Sequence, residues 1–378
     1  MKAIIEKLTP KIQQVFTYLH EHPEISWQED ETTTYIHDLF ARENCKITTF
    51  SNSPGLIIDI GSGKPIIGIR ADMDALWQEV NGTLQANHSC GHDAHMSIAI
   101  GTLWTMLEKM KRDELHGTFR FIFQPAEEVG AGALSFVEKG IVDDIDFLYG
   151  MHVRPIEELE FGHYAPAIQH GAARFIDGEI RGEDAHGARP HLNVNAIEIG
   201  TALVSHLNQI HLNPMIPYSV KMTTFHAGGK NTNIIPGKAT FSIDVRAQTN
   251  EVMEDLSEKV YAIADMLSIH HHVPIPLKTR TEIAAAVLNE EAIHYMETAI
   301  AQTVGAEKLK KTITTSGGDD FHFYTIKRSH VKATMLAIGC DLQPGLHHPN
   351  MTFNYESIPT TIEIMSKVLW NTASNYKG

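Results

Sequence analysis

The chain has 378 residues, 43% of them hydrophobic and 20% charged, which suits a soluble globular protein with room for two domains. Its 46 acidic residues outnumber 31 basic ones, and the resulting net charge of −15 argues against nucleic acid or an anionic membrane as a main partner. The three cysteines, Cys45, Cys90 and Cys340, are too few and too scattered for a disulfide framework. No apolar run reaches the length of a membrane span, and Glu6 and Lys7 interrupt what would be a signal-peptide core, so a cytoplasmic location is expected.

Apolar spacing at Ile12, Val15, Phe16 and Leu19 predicts a first helix starting near Pro10, with a loop and second helix in HPEISWQEDETTTYIHDLFARE. Strand-like runs then alternate with helices: GLIIDI, PIIGIRADMD, a helix after His92, GTFRFIFQPAEE, the short helix GALSFVEKG, and DFLYGMHV. This order reads as an α/β domain with a mostly parallel sheet. The pattern changes near residue 172. ARFIDGEIRG, SVKMTTFHAGG and ATFSIDVRA read as strands; NVNAIEIGTALVSHLNQI and EVMEDLSEKVYAIADML read as helices. In the third strand Ala239, Phe241, Ile243, Val245 and Ala247 alternate with polar residues, as in a half-buried strand. A ferredoxin-like α+β insertion over 173–283 is therefore expected within a discontinuous domain of 1–172 and 284–378. A helix, the strand KATMLAIG and a last helix after YESIPTT complete that domain.

Three of the apolar runs end in residues able to do chemistry: Asp72 and Asp74, Glu127 and Glu128, and His152. Ligands bind beyond the carboxyl ends of strands in open α/β sheets, so these endings point to one shared site. Adjacent carboxylates after a buried strand cannot both stay charged and close without a cation, although an isolated Glu-Glu pair is commonly a solvated loop. In Cys90-Gly91-His92 the central glycine permits a turn that aims both side chains inward. Thiolate and imidazole suit zinc and similar ions. A buried cysteine beside a capping histidine, or a Cys-His nucleophile pair, remain open for this stretch alone. GLHHPN adds His347 and His348 in a loop, a setting in which histidines commonly face solvent.

HPEISWQEDET, GIRADMDAL, SCGHDAHM, FQPAEEVGAGA, GMHV, GEDAHGARPH, NIIPGKATFSIDVRA, GGDDF and LHHPNMTFN occur in order over nearly the whole chain. In these motifs the chain resembles the M20 metallopeptidase clan, in the amidohydrolase branch of N-acyl-amino-acid, hippurate and auxin-conjugate hydrolases. DALWQ is most similar to AmhX-type members. The resemblance implies a zinc-peptidase-like catalytic domain, an inserted lid and dimerisation domain, a homodimer, and two divalent metal ions (zinc, manganese or cobalt). Position by position it implies Cys90, His92, Glu128, His152 and His347 as ligands and Glu127 as general base toward a metal-bound water. It further implies Asp74 as a carboxylate orienting a ligand, His186 as a group holding the scissile carbonyl across a dimer, and Asn233 and Arg246 near the substrate. Arg246 could equally pair with Asp244. His95 and Asp93 fit capping and packing better than metal binding, and the role of Asp72 is left open.

The expected reaction is hydrolysis of the amide bond of an N-acyl amino acid or related small amide. The alternatives are a dipeptidase or carboxypeptidase of the same clan, which commonly has aspartate where this chain has Cys90, and a Cys90-dependent acyl hydrolase. Trp77 stands where relatives have proline after DAL, GGDDF where many have SEDF, and Ser89 where alanine is common.

Overall fold

The computed structural model describes residues 1–377. The chain forms two compact units. The first comprises Met1–Gln169, Val287–Ile313 and the chain from Asp320; the second comprises His170–Ala286 and Thr314–Asp319.

In the first unit a seven-stranded sheet has at its centre four parallel strands, in the order Gly117–Gln124, Ile66–Asp72, Phe147–Pro155 and Lys332–Leu342. Antiparallel strands extend it at both edges: Leu56–Ser62 and Lys46–Thr49 on one side, Tyr164–Ala165 on the other. The central strands are nearly continuous apolar runs because helices cover the sheet. Ile67, Ile69, Phe119, Phe121, Phe123, Phe147, Tyr149, Leu336 and Ile338 pack in one core with Leu103, Trp104, Ile362 and Met365 of the helices His92–Met110 and Ser357–Asn375. Asp72 pairs in register with Gln124, so the carboxyl ends of two core strands lie side by side.

Two local expectations change, and one element is new. The first helix runs Lys2–Glu21 with Pro10 inside it. An interior proline costs about 3 kcal/mol, but the turns before it bury Ile4 and Ile5, each worth about 1.5–3 kcal/mol. The last helix begins at Ser357, ahead of the expected point, because Pro359 falls in the first turn, where no amide hydrogen is needed. A hairpin of Leu76–Val80 and Thr83–Asn87 occupies the stretch before Cys90.

The second unit is a four-stranded antiparallel sheet with spatial order Tyr218–Ala227, Lys238–Ala247, Ala172–Arg181, Leu277–Ile283. With helices Ala196–Leu207 and Asn250–His271 the chain order is βαββαβ, the ferredoxin-like arrangement. Ala239, Phe241, Ile243, Val245 and Ala247 are buried, as their alternation predicts, against Ile199, Leu203, Leu256 and Val260. Asn195 and Thr249 cap the two helices by accepting from the amides of Ile197 and Val252. The strand Leu277–Ile283 escapes the sequence reading because it is an edge strand whose outer positions carry Lys278, Arg280 and Glu282.

Candidate metal centre

Strand ends and one turn build the centre, all within the first unit. Gly91 has a left-handed φ of 82° and caps the helix His92–Met110. A Cβ there would stand 2.5 Å from Cγ2 of Val153, so glycine is required for both conformation and space. The turn brings Sγ of Cys90 to 3.6 Å from Nε2 of His152. Ligand atoms of Cys90, His92 and His152 lie within 4.8 Å of one another, as do those of Cys90, Glu128 and His347 and those of His92, Glu127 and Glu128. Overlapping triplets of sulfur, nitrogen and carboxylate donors suit a pair of divalent ions.

Each histidine is oriented through its other nitrogen. Nδ1 of His92 donates to the Asp74 carbonyl at 2.7 Å, and Nδ1 of His152 donates to the Val153 carbonyl at 2.7 Å, which turns Nε2 of both toward the cluster. His95 differs. Its Nδ1 bonds Asp72 at 2.7 Å and its Nε2 accepts the Val153 amide at 3.1 Å, so both nitrogens already have partners, although one of them also lies within 4.8 Å of ligand atoms of Asp72 and His92. Asp93 is buried and bonds His20 and the Ala94 amide. His88 is buried and pulled down to about 4 by burial, hence neutral.

Asp74 holds both glutamates through their backbone. Its Oδ1 accepts the amide of Glu127 at 3.0 Å and its Oδ2 accepts that of Glu128 at 3.0 Å, while Ser26 donates to Oδ2 at 2.6 Å. The preceding Ala126 has a left-handed φ of 56°, a strained conformation worth about 1–3 kcal/mol for a non-glycine residue. Its amide donates to Glu29 Oε1 at 2.8 Å. Burial, and then Asp74, push the Glu29 carboxyl up to about 8. Asp72 is held by His95 and by the fully buried Arg70, which also bonds Asp320 at 2.7 Å and Gln124 at 2.8 Å. Asp320 in turn accepts the Ala133 amide at 2.9 Å, and its own amide lies 3.4 Å from Oε1 of Glu127.

The electrostatics are those of a site short of positive charge. Burial, then Asp74, push the Glu128 carboxyl up to about 7. Burial and Glu128 hold the Cys90 thiol well up. Burial opposes the charged form of His92, but Asp72 and Cys90 overcome it and hold that imidazole well above its ordinary value. Burial drives His152 well down, and it also lowers His347. Nε2 of His92 and Oε1 of Glu128, 3.8 Å apart, are buried with no hydrogen-bond partner. The donors present therefore fit divalent cations, which would satisfy both orphaned atoms and supply the charge that a thiolate and two carboxylates need.

The remaining predicted residues lie in the second unit. His186 pairs with Ile234 in a two-stranded ribbon, and the Gly187 amide donates to the Asn233 carbonyl at 2.7 Å, so His186 and Asn233 share one exposed ribbon. Arg246 pairs with Asp244 at 2.7 Å and lies over the Phe175 ring. Arg70, Glu29, Gln78 and Asp320 went without roles in the sequence reading. A usable signal existed for Arg70: a charge inside the buried run IIGIRAD demands a buried partner.

The model of peptidase family M20/M25/M40 matches residues 68–371. An N-acetyl-L-cysteine deacetylase of Bacillus subtilis is 29% identical over 354 residues, 90% of this chain and 83% of that protein. An N-acetyldiaminopimelate deacetylase of Listeria monocytogenes is 26% identical over 368 residues, covering 92% and 95% respectively. The solved structure of a dinuclear metal-binding M20 peptidase from Bacillus subtilis superposes with a TM-score of 0.82 at 25% identity, over 98% of this chain and 100% of that one. The chain belongs to peptidase family M20/M25/M40 and is a metal-dependent hydrolase of amide bonds.

Proposed function

We propose that the chain removes the acyl group from N-acyl amino acids or closely related small amides, as a cytoplasmic homodimer. Cys90, His92, Glu128, His152 and His347 would hold two ions drawn from zinc, manganese and cobalt. Bound there, such ions polarise a carbonyl and lower the pKa of water. The observation that carries the reading is the double clamp of Asp74 on the amides of Glu127 and Glu128. One fixed turn presents two carboxylates to one cluster, so that one can hold charge while the other moves a proton.

Glu127 is the general base, taking a proton from the attacking water and returning it to the leaving amine. Asp74 acts as a positioning residue for that turn. His186 is the oxyanion donor. Its Nδ1 accepts the Ala188 amide at 3.0 Å, which leaves Nε2–H on an exposed ring free to donate. Asn233 offers a second polar group from the same ribbon, and Arg246 offers guanidinium hydrogens to a substrate carboxylate. The inserted unit, 173–283, serves as lid and dimerisation domain and excludes water during reaction.

The 3.6 Å approach of Cys90 to His152 also suits a nucleophile pair. Burial raises that thiol and lowers that imidazole, the opposite of the shifts that activate a Cys-His nucleophile. The test is a panel of N-acetyl, N-benzoyl and indole-acetyl amino acids on protein reconstituted with manganese, cobalt or zinc. Hydrolysis should vanish on chelation and return with metal. Turnover that survives complete chelation but dies on thiol alkylation would replace this reading with a Cys90 nucleophile.

A further inference from the structure

His347 differs from the other four candidate ligands. Its side chain is 53% exposed, and its backbone sits at a left-handed φ of 64° in a loop. That conformation is uncommon for a residue other than glycine, and the loop's backbone bonds hold it with the ring beside Glu128, whose Oε2 lies 3.5 Å from Nε2 of His347. Both backbone polar groups of His347 are taken, one by Gln78 in the first strand of the Leu76–Asn87 hairpin and one by the residue before Cys90. The His347 amide donates to the Ser89 carbonyl at 2.7 Å. Its carbonyl accepts from Nε2 of Gln78 at 2.8 Å.

The Gln78 amide is held in turn. Its Oε1 accepts from Oγ of Ser89 at 2.9 Å and from Nδ2 of Asn87 at 3.1 Å, and the same Asn87 nitrogen donates to the Pro349 carbonyl at 3.0 Å. The network has only one direction. Flipping the Gln78 amide would set its nitrogen against the Asn87 amide group and its oxygen against the His347 carbonyl. Ser89 thus touches His347 through its backbone and Gln78 through its hydroxyl, while it is joined covalently to Cys90. One of the departures from the family pattern takes part here: Ser89, which replaces the common alanine, supplies the hydroxyl to Gln78.

We infer that Gln78 is a positioning residue that, with Ser89 and Asn87, fixes His347 relative to Cys90 and thereby sets the affinity of one of the two ions. The inference rests on the metal-site reading above. The experiment is titration of metal-free protein with Co2+ in competition with a chromophoric chelator, alongside thermal unfolding of the metal-free forms. Gln78→Leu removes every bond that the Gln78 amide makes in this clamp and leaves the backbone bond between His347 and Ser89. Gln78→Glu keeps its shape and its acceptor but loses the donor and sets a carboxylate against the His347 carbonyl, and it carries the test if the leucine variant does not fold. Each should weaken one Co2+ equivalent about 10–100-fold and leave the other unchanged. Ser89→Ala should weaken the same equivalent less, and combined with Gln78→Leu it should add little, because the two act through one network. If both Gln78 variants bind both equivalents within about twofold of the parent while His347→Ala loses one, the clamp alone is overturned. If His347→Ala also binds both as the parent does, the ligand assignment falls and the clamp with it.

Discussion

The buried candidate residues of the first unit and the His186–Asn233 ribbon of the second are held by opposite means. In the first unit Asp72, Asp74, Cys90, His92 and His152 are buried, and the atoms turned away from the cluster are bonded: His92 to the Asp74 carbonyl, His152 to the Val153 carbonyl, Asp72 to Arg70 and His95. In the second unit His186 and Asn233 stand exposed on a short ribbon held by backbone pairing. The difference fits the roles proposed above for each. Buried charge is costly unless it is paired and bonded, so a cation site has to be assembled before the ion arrives. A group that meets only the passing charge of a reacting amide has to be presented with its donor free.

This contrast is testable by substitution, beginning with the largest expected effect. Glu127→Gln should lower kcat by about 10²–10⁴ and leave metal content unchanged; a variant retaining most activity would remove Glu127 from the role of base. Arg70→Met strips the guanidinium from two buried carboxylates, Asp72 and Asp320, leaving them to His95 and to Gln124 and the Ala133 amide. Urea unfolding should show a loss of about 3–5 kcal/mol, and a loss below about 1 kcal/mol would mean that those carboxylates are held by other groups. His186→Ala should do the reverse of Arg70→Met. We expect kcat to fall about 10²–10³ with the melting temperature and bound metal unchanged; a clear loss of stability would show that the ribbon histidine is structural.

The smallest effect concerns Glu29. Its carboxyl is pushed up to about 8 by burial and by Asp74. A carboxyl whose folded-state pKa is raised stabilises the fold below the unfolded value, and that contribution is lost as pH rises toward about 8. Glu29→Gln imitates the protonated acid and keeps an acceptor for the Ala126 amide. Denaturation of the metal-free proteins at about pH 5 and about pH 9 should show a shallower decline for the variant. Parallel declines would mean that Glu29 ionises elsewhere in the range.

Much of this site was legible before any coordinates. Apolar runs ending at Asp72, Glu127 and His152 pointed to the carboxyl edge of a sheet, and the structure brings Cys90, His92, Glu128, His152 and His347 into overlapping triplets there. The supporting residues were not legible. Arg70 and Asp320 are 250 positions apart in the chain, and no local pattern links them. The hairpin carrying Gln78 went unread although Asn81-Gly82 between Val80 and Thr83 is a hairpin-turn signal, and the expectation that the Asp74 carboxylate orients a ligand left open how it does so: it accepts the amides of Glu127 and Glu128, while the Asp74 carbonyl accepts from His92.

By itself, then, the sequence determined the alternation of strands and helices, the ferredoxin-like insertion and the residue types able to bind an ion, because periodicity and donor chemistry are local properties. Only the tertiary structure decided that His95 bonds Asp72 and the Val153 amide, and that Ala126 and His347 adopt left-handed backbones. Those outcomes depend on which hydrogen-bonding groups distant segments bring within about 3 Å of one another, and a buried polar atom takes the partner that the fold delivers.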